Sequence, residues 1–264
     1  MSGLKHKPKL GQNFLVDPAA CMAIADALGD VSESTVVEIG PGHGAITEIL
    51  ARRAKRLIAI ELDRGLAQRL RAQFADRPSV EVIEADVLTV DLATLQMGEE
   101  RLVVVGNLPY YITSDIMLRL FEFHGAISRA VVMVQREVAD RVAAKPGTRD
   151  YGLLSATAQL YARVERLLTL PPEVFRPAPD VHSAVLRLTM RRRFEELRVE
   201  PAAFIRFLKA GFAQKRKTLA KNLRSAGFNA DRTAAAMEAA GIPPLARAEE
   251  IELERMARLW KNLK

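Results

Sequence analysis

The segment Asn107-Leu108-Pro109-Tyr110 follows an apolar, strand-forming run, residues 102–106. The Asn107 side-chain oxygen and the Leu108 carbonyl can each accept one N–H of an exocyclic amino group, which draws the nitrogen lone pair out of conjugation with a ring. Pro109 biases Leu108 toward an extended conformation, and Tyr110 offers a flat face on which a base can stack. The same residue types favour a plain turn, so the segment alone leaves both alternatives open.

A glycine-rich turn, Gly40-Pro41-Gly42-His43-Gly44, follows another apolar run. Glu61 ends the next predicted strand, where a carboxylate can bind ribose hydroxyls. This combination is shared by dinucleotide-binding and adenosyl-methionine-binding proteins. The G-P-G-x-G spacing and a third acid, Asp86, favour adenosyl-methionine, because a carboxylate there is placed to accept a hydrogen bond from an adenine amine. A lone Asp at this point is also a common helix cap or turn residue.

The elements that position these residues alternate between strands and helices. Strands are predicted at 35–39, 56–61, 80–84, 102–105 and 129–134, with helical patterns between them, which indicates right-handed crossovers and a parallel sheet. Runs at 164–170 and 183–190 predict antiparallel strands that close the sheet around a Pro-rich loop. Helices are predicted at 201–213, 215–225, 231–239 and 249–263. We therefore expect an α/β domain over residues 1–190 and a small all-α domain over residues 191–264.

Composition and charge narrow the class of protein. The 264 residues are 49% hydrophobic and 27% charged, which is typical of a globular protein. A signal peptide, a membrane-spanning run and a metal site are not expected, and the single cysteine, Cys21, excludes a disulfide framework, so a cytoplasmic setting is predicted. Residues 187–264 carry 18 Lys and Arg against 9 Asp and Glu, whereas the preceding residues carry 21 against 23. This asymmetry indicates a polyanionic partner, most plausibly nucleic acid.

Taken in order, these segments resemble the rRNA adenine N6-dimethyltransferase family, in its bacterial small-subunit branch, the methyltransferases whose loss gives kasugamycin resistance. The resemblance extends from about Leu10 into the C-terminal helices, and His43 and His182 are not part of it. The matching segments are Leu10-Gly11-Gln12-Asn13-Phe14-Leu15, Glu38-Ile39-Gly40-Pro41-Gly42, Ile60-Glu61-Leu62-Asp63, Asp86, Asn107-Leu108-Pro109-Tyr110, Phe175-Arg176-Pro177-Ala178-Pro179 with Val181, Ser183-Ala184-Val185 and Phe212-Ala213-Gln214-Lys215-Arg216-Lys217-Thr218-Leu219.

The resemblance implies a Rossmann-like methyltransferase domain that uses S-adenosyl-L-methionine without a metal. It implies cofactor contacts by Asn13, Leu15, Gly40, Glu61, Asp86 and Asn107, to which the glycine turn adds Gly42. Phe175 is similar to the family's second aromatic, which would sandwich a flipped adenine against Tyr110. From the sequence alone, a core Phe is the stronger interpretation of Phe175.

The basic helix predicted at 215–225 is a candidate RNA-binding element. Its cations are Lys215, Arg216, Lys217, Lys221 and Arg224. A charge run usually marks a solvated helix face, but this one falls where the excess charge lies, which favours phosphate contact. Such contacts position RNA rather than read its sequence. The expected partner is small-subunit rRNA in a 30S or pre-30S particle, bound by a monomer.

The resulting expectation is dimethylation of adenine N6 in 16S rRNA, on two adjacent adenosines, coupled to small-subunit biogenesis. Within the enzyme class, a large-subunit rRNA methylase is the nearest alternative, and the long basic helical domain argues against it. A DNA adenine methylase is disfavoured by Leu108, where a Pro would be expected, and no hydride-transfer constellation supports a nicotinamide dehydrogenase. An alternative from another functional class is a ribosome-assembly factor that binds an immature subunit and for which catalysis is secondary.

Overall fold

The computed structural model describes residues 13–264, so the Leu10, Gly11 and Gln12 part of the N-terminal motif lies outside the described residues. Within this range, no helix is both long enough and apolar enough to cross a membrane. The strands are β1 Phe14–Leu15, β2 Thr35–Ile39, β3 Arg56–Glu61, β4 Val80–Glu84, β5 Leu102–Asn107, β6 Ile127–Gln135, β7 Ala162–Leu170, β8 Phe175–Arg176 and β9 Ser183–Met190.

The helices are α1 Pro18–Ala27, α2 Ala45–Leu50, α3 Arg64–Gln73, α4 Thr113–Glu122, α5 Arg136–Ala143, α6 Leu153–Tyr161, α7 Arg193–Glu196, α8 Pro201–Gly211, α9 Leu219–Ser225, α10 Ala230–Ala239 and α11 Leu253–Leu263. Short 3-10 turns occupy Leu92–Leu95, Pro172–Val174 and Ala248–Glu250. Asp17 and Asp63 are the N-caps of α1 and α3, because their side chains accept hydrogen bonds from the backbone N–H groups of Ala20 and Leu66.

Seven strands form one sheet in the order β4-β3-β2-β5-β6-β9-β7, and β1 pairs with β8 in a separate antiparallel ribbon. The neighbours β4-β3-β2-β5-β6 are parallel, and β9 runs antiparallel to β6. The predicted parallel sheet with an antiparallel closing strand is therefore confirmed. β2 is buried along its whole length, as expected of a central strand covered on both faces.

The chain divides into two compact units. The first contains the described residues up to Ala139 together with Glu165–Met190, and the second contains Asp140–Val164 and Arg191–Lys264. The sequence-based boundary at 190/191 coincides with one of these division points. The segment 140–164, which is expected in the first domain, instead belongs to the same compact unit as the C-terminal helices. It contains α6, whose Leu160 and Ala156 are fully buried.

Candidate active site

The carboxyl ends of four neighbouring parallel strands lie at one edge of the sheet. Ile39 of β2 pairs with both Ile60 of β3 and Gly106 of β5, so the residues after these strands come together. The approach of β5 to β2 depends on Gly106, because a Cβ atom there would lie 2.9 Å from the Ile39 carbonyl oxygen. This edge is where open α/β sheets bind ligands.

An open pocket lies at this edge. Eight residues that the sequence analysis proposed for the site line it together, namely Asn13, Gly40, Gly42, Glu61, Asp86, Asn107, Leu108 and Tyr110. Apolar side chains complete the walls, among them Phe14, Ile60, Leu62, Val87 and Ile112. A pocket with apolar walls and a few convergent polar groups is the usual form of a small-molecule site.

Glu61 ties the glycine turn to the end of β3. Its Oε2 accepts a hydrogen bond from the Gly42 N–H at 3.1 Å, and its Oε1 accepts one from the Asp63 N–H at 2.9 Å. Gly42 has a φ of +59°, and a Cβ there would lie 2.8 Å from the Phe14 ring, so the turn requires glycine at this position. Each carboxylate oxygen keeps a second lone pair for a ligand hydroxyl.

Asp86 both forms a turn and lines the pocket. Its Oδ1 accepts a hydrogen bond from the Leu88 N–H at 2.9 Å, and its carbonyl accepts from Thr89, which together form a turn. Asp86 also lines the pocket. The turn therefore fixes one carboxylate oxygen and leaves the other for a ligand.

Asn107 and Tyr110 are each held by one hydrogen bond. The Asn107 Nδ2 donates to the Asn13 carbonyl at 2.8 Å, which orients the amide and leaves its oxygen as the acceptor. The Tyr110 hydroxyl lies 2.9 Å from the hydroxyl of the buried Ser183. Thr113 donates to the Pro109 carbonyl at 2.9 Å and stabilises the start of α4. The segment is thus both a turn at a strand end and part of the pocket wall.

Leu15 and Phe175 do not line this pocket. They are paired with each other between β1 and β8, and the Phe175 side chain is fully buried in the hydrophobic core. The structure thus places Phe175 in the core, as the sequence alone favours, whereas the sandwich of a base between Tyr110 and Phe175 stays a prediction. Leu15 lies against a smaller adjoining pocket, together with Gly40 and Asn107. His43, which the motifs do not include, also lines this smaller pocket and lies 4.2 Å from the Phe14 ring.

Glu38 is a site residue that the sequence analysis did not assign. It is 2% exposed, lines the smaller pocket, and accepts a 2.7 Å hydrogen bond from the Thr47 hydroxyl. The pKa of Glu38 is raised to about 7, because the upward effects of burial and of the neighbouring Glu61 outweigh the downward effect of the Thr47 hydrogen bond. The available signal was an acid inside an otherwise apolar strand, which is unusual without a reason.

The predicted basic helix is shorter than expected. Helix α9 begins only at Leu219, with the Thr218 hydroxyl accepting from the Lys221 N–H at 3.3 Å. Lys215, Arg216 and Lys217 therefore lie in the exposed loop before the helix, while Lys221 and Arg224 are on α9 itself. The physical reason is that Thr218 is a strong N-cap and that cations are disfavoured in a first helical turn.

The chain is similar to known proteins over nearly its whole length. Residues 3–264 match the family described as ribosomal RNA adenine dimethylase. The ribosomal RNA small subunit methyltransferase A of Acidobacterium capsulatum is 64% identical over 98% of this chain and 92% of its own length. The protein of the same name from Koribacter versatilis is 55% identical over 98% of this chain and 94% of its own.

Two solved structures share the fold over nearly the whole chain. A dimethyladenosine transferase from Plasmodium falciparum superposes with a TM-score of 0.76 at 23% identity, covering 93% of this chain and 95% of its own. The 23S rRNA methyltransferase ErmE gives 0.71 at 28% identity, covering 95% of this chain and 99% of its own. Because ErmE is similar over 95% of this chain, a helical C-terminal part does not by itself distinguish a small-subunit from a large-subunit rRNA methylase. The chain belongs to the ribosomal RNA adenine dimethylase family.

Proposed function

We propose that this protein transfers methyl groups from S-adenosyl-L-methionine to the N6 amine of adenine in small-subunit (16S) rRNA, giving the dimethylated base on two adjacent adenosines. The observation that carries the proposal is the convergence of Gly40, Glu61, Asp86 and Asn107 on one pocket at the sheet edge. Family membership supplies the reaction class, and the 64% identity to a small-subunit methyltransferase favours that subunit.

The residues at the sheet edge fit the cofactor. Gly40 and Gly42 line the pocket without a side chain, Glu61 has lone pairs for ribose hydroxyls, and Asp86 has one carboxylate oxygen beyond its turn. Asn13, which accepts from Asn107, and Leu15 would lie at the methionine end, as the resemblance implies. S-adenosyl-L-methionine supplies an electrophilic methyl group when bound there.

The remaining chemistry is positioning and polarisation of the amine. The Asn107 oxygen and the Leu108 carbonyl accept the amine N–H bonds and direct the nitrogen lone pair toward the methyl group. Tyr110 provides the face on which the base stacks, and its hydroxyl is held by Ser183. After the first transfer one N–H remains for either acceptor, so the same groups serve both transfers. No dedicated base is needed, because the amine proton becomes acidic only once the nitrogen is methylated.

The basic residues of the second unit are proposed to hold the RNA. Lys215, Arg216, Lys217, Lys221 and Arg224 are exposed, and residues 213–228 contain no acid. Phosphate contacts of this kind set position and make affinity fall with salt. The proposed partner is a 30S or pre-30S particle, bound by a monomer in the cytoplasm during small-subunit biogenesis.

The test is mass spectrometry of both rRNAs from cells that lack the protein and carry wild type, Asn107→Ala or the surface control Asn262→Ala. Dimethyladenosine is expected in 16S rRNA with wild type and Asn262→Ala, and its absence is expected with Asn107→Ala. Cells without the modification should resist kasugamycin. Normal 16S dimethylation with Asn107→Ala would refute the mechanism, and loss of a 23S modification instead would assign the large subunit.

A role as an assembly factor makes a separate prediction. Subunit maturation would then be rescued by Asn107→Ala as well as by wild type, although the base stays unmodified. Sedimentation profiles of ribosomal particles from the same strains distinguish this role from catalysis.

A further inference from the structure

The loop of residues 145–150, between α5 and α6, has a fixed shape and belongs to the second compact unit. The Lys145 carbonyl accepts hydrogen bonds from the Thr148 N–H at 3.2 Å and from the Thr148 hydroxyl at 2.7 Å. Gly147 has a φ of +83°, which glycine adopts without strain. These features hold the loop in a single turn at the surface.

The loop is attached to the C-terminal helical segment at three points. The Gly147 N–H donates to the Glu249 carbonyl at 2.8 Å, and the Lys215 Nζ donates to the Arg149 carbonyl at 2.6 Å. At the end of the loop, the buried Tyr151 ring packs edge-on against Phe212 at 6.0 Å. Phe212 directly precedes the basic loop at 213–218, so the two loops are positioned together.

The two loops also share an uncompensated positive charge. Lys145 and Arg149 are exposed, as are Lys215, Arg216 and Lys217. Across the part of the chain that the structure describes, no salt bridge engages any of these five residues. The acids close to these loops are Asp150, within the first loop, and Glu249, whose carbonyl accepts from the Gly147 N–H, with Glu250 next to it in sequence. The cations therefore outnumber the acids around the Lys215–Arg149 contact.

We propose that Lys145 and Arg149 extend the RNA-binding surface, forming one phosphate-binding face with the cations of the 213–218 loop. This inference rests on the proposed function and deepens it, because it assigns RNA contacts to a segment that the charge distribution along the sequence did not indicate. The hydrogen bonds within and between the two loops hold the backbone that presents these cations, and the counterions that the cations release favour binding to a phosphate backbone. RNA is the polyanion that the family's reaction supplies.

The test compares Lys145→Ala/Arg149→Ala with Arg258→Ala/Lys261→Ala, a matched removal of two exposed cations from α11 of the same unit. Binding of protein-free 16S rRNA fragments is measured over a range of KCl concentrations. The slope of log affinity against log salt is negative, and loss of two phosphate contacts should reduce its magnitude by about 1.5. Binding at low salt should weaken about tenfold or more. The α11 variant should keep the wild-type slope and affinity.

The hydrogen bonds that attach the loop to the C-terminal segment use the backbone carbonyl of Arg149 and the backbone N–H of Gly147, so alanine at 145 and 149 preserves them. Urea unfolding checks that the alanine variant keeps the fold of the second unit, and Lys145→Arg/Arg149→Lys should restore RNA binding. An unchanged salt slope in the alanine variant, or an equal loss in the α11 variant, would overturn the inference. The proposed function survives that result as long as wild type dimethylates 16S rRNA, and it fails only if wild type does not.

Discussion

The Asn107 side chain donates its amide N–H to the Asn13 carbonyl at 2.8 Å, joining the end of β5 to a residue 94 positions earlier in the chain. This bond fixes which amide atom is free. Since Nδ2 is used by Asn13, the oxygen is the atom available to accept from a substrate amine. One contact therefore links the N-terminal segment to the orientation of the proposed amine-binding group.

Replacing Asn107 with Asp distinguishes two functions of this side chain, namely the hydrogen bond to Asn13 that orients it and the acceptance of a hydrogen bond from the substrate amine. Asp keeps acceptor oxygens but loses the donor, leaving the Asn13 carbonyl facing a carboxylate. We expect methyl transfer to fall by about 10- to 100-fold, because an orienting hydrogen bond is lost and an acceptor loses its donor. Asn107→Ala also removes the acceptor and should lose about 10²- to 10³-fold or more. Single-turnover methylation of a 16S fragment measures both, and equal rates for Asp and wild type would contradict the role of the Asn13 contact.

Replacing Asp86 with Asn tests recognition of the adenine ring. Asn keeps the side-chain oxygen that accepts from the Leu88 N–H, so the turn and the stability should be preserved. The other carboxylate oxygen becomes an NH₂ group, which faces the adenine amine with a second donor. We expect affinity for S-adenosyl-homocysteine to fall about tenfold or more, and affinity for the inosine analogue, whose ring carries an acceptor there, to rise.

Calorimetry with S-adenosyl-homocysteine and with its inosine analogue measures both affinities for wild type and Asp86→Asn. Glu84→Gln, a change at an exposed position at the end of β4, serves as the control and should alter neither affinity. A parallel loss of both nucleosides by Asp86→Asn would show that Asp86 supports the turn only.

Tyr110 and Phe175 should respond differently to truncation. Tyr110 lines the pocket, so Tyr110→Ala should abolish methylation with a modest effect on stability, while Tyr110→Phe keeps the stacking face and most of the activity. Phe175 is fully buried, so Phe175→Ala should lower the free energy of unfolding by about 3–5 kcal/mol. Urea unfolding and methylation assays on the three variants distinguish the two roles. A stable Phe175→Ala protein that has lost only catalysis would support the base-sandwich hypothesis.

The sequence was sufficient to predict that the proposed site residues meet at one edge of the sheet. Gly40, Glu61, Asp86 and Asn107 follow strands whose apolar runs are easily recognised, and parallel strands bring their carboxyl ends to one edge. The boundaries of β2, β3 and β4 agree with the prediction for the same reason. Short-range patterns were sufficient because the sheet geometry itself supplies the long-range contacts.

The misplaced features depend on contacts between distant segments or on competing local signals. Pairing of β8 with β1 buries Phe175, and nothing in the Pro-rich loop indicates that partner. The grouping of residues 140–164 with the C-terminal helices rests on contacts such as Lys215 to Arg149, which are 66 residues apart. The late start of α9 follows from Thr218, a capping signal that the charge run obscured.

Replacing Glu38 with Gln should stabilise the protein at alkaline pH. The pKa of Glu38 is raised from 4.5 to about 7 because the carboxyl is buried. A raised native pKa means that the stabilising contribution is complete below about pH 4.5, where the group is protonated in both states, and is lost as the pH rises through about 7. Above that pH the native protein carries a buried carboxylate beside Glu61, at a cost of up to about 3 kcal/mol.

Gln is neutral throughout and its oxygen can still accept from Thr47, so Glu38→Gln should match wild type near pH 4.5 and exceed it at pH 8. Urea unfolding at several pH values measures the difference, which should grow between pH 4.5 and 7 and then level off. Exposed Glu99→Gln is the control and should give no such trend. A difference that stays constant with pH would show that Glu38 does not titrate in this range. In that case its carboxylate is held charged in the native state, and Gln should destabilise the glycine turn beside it.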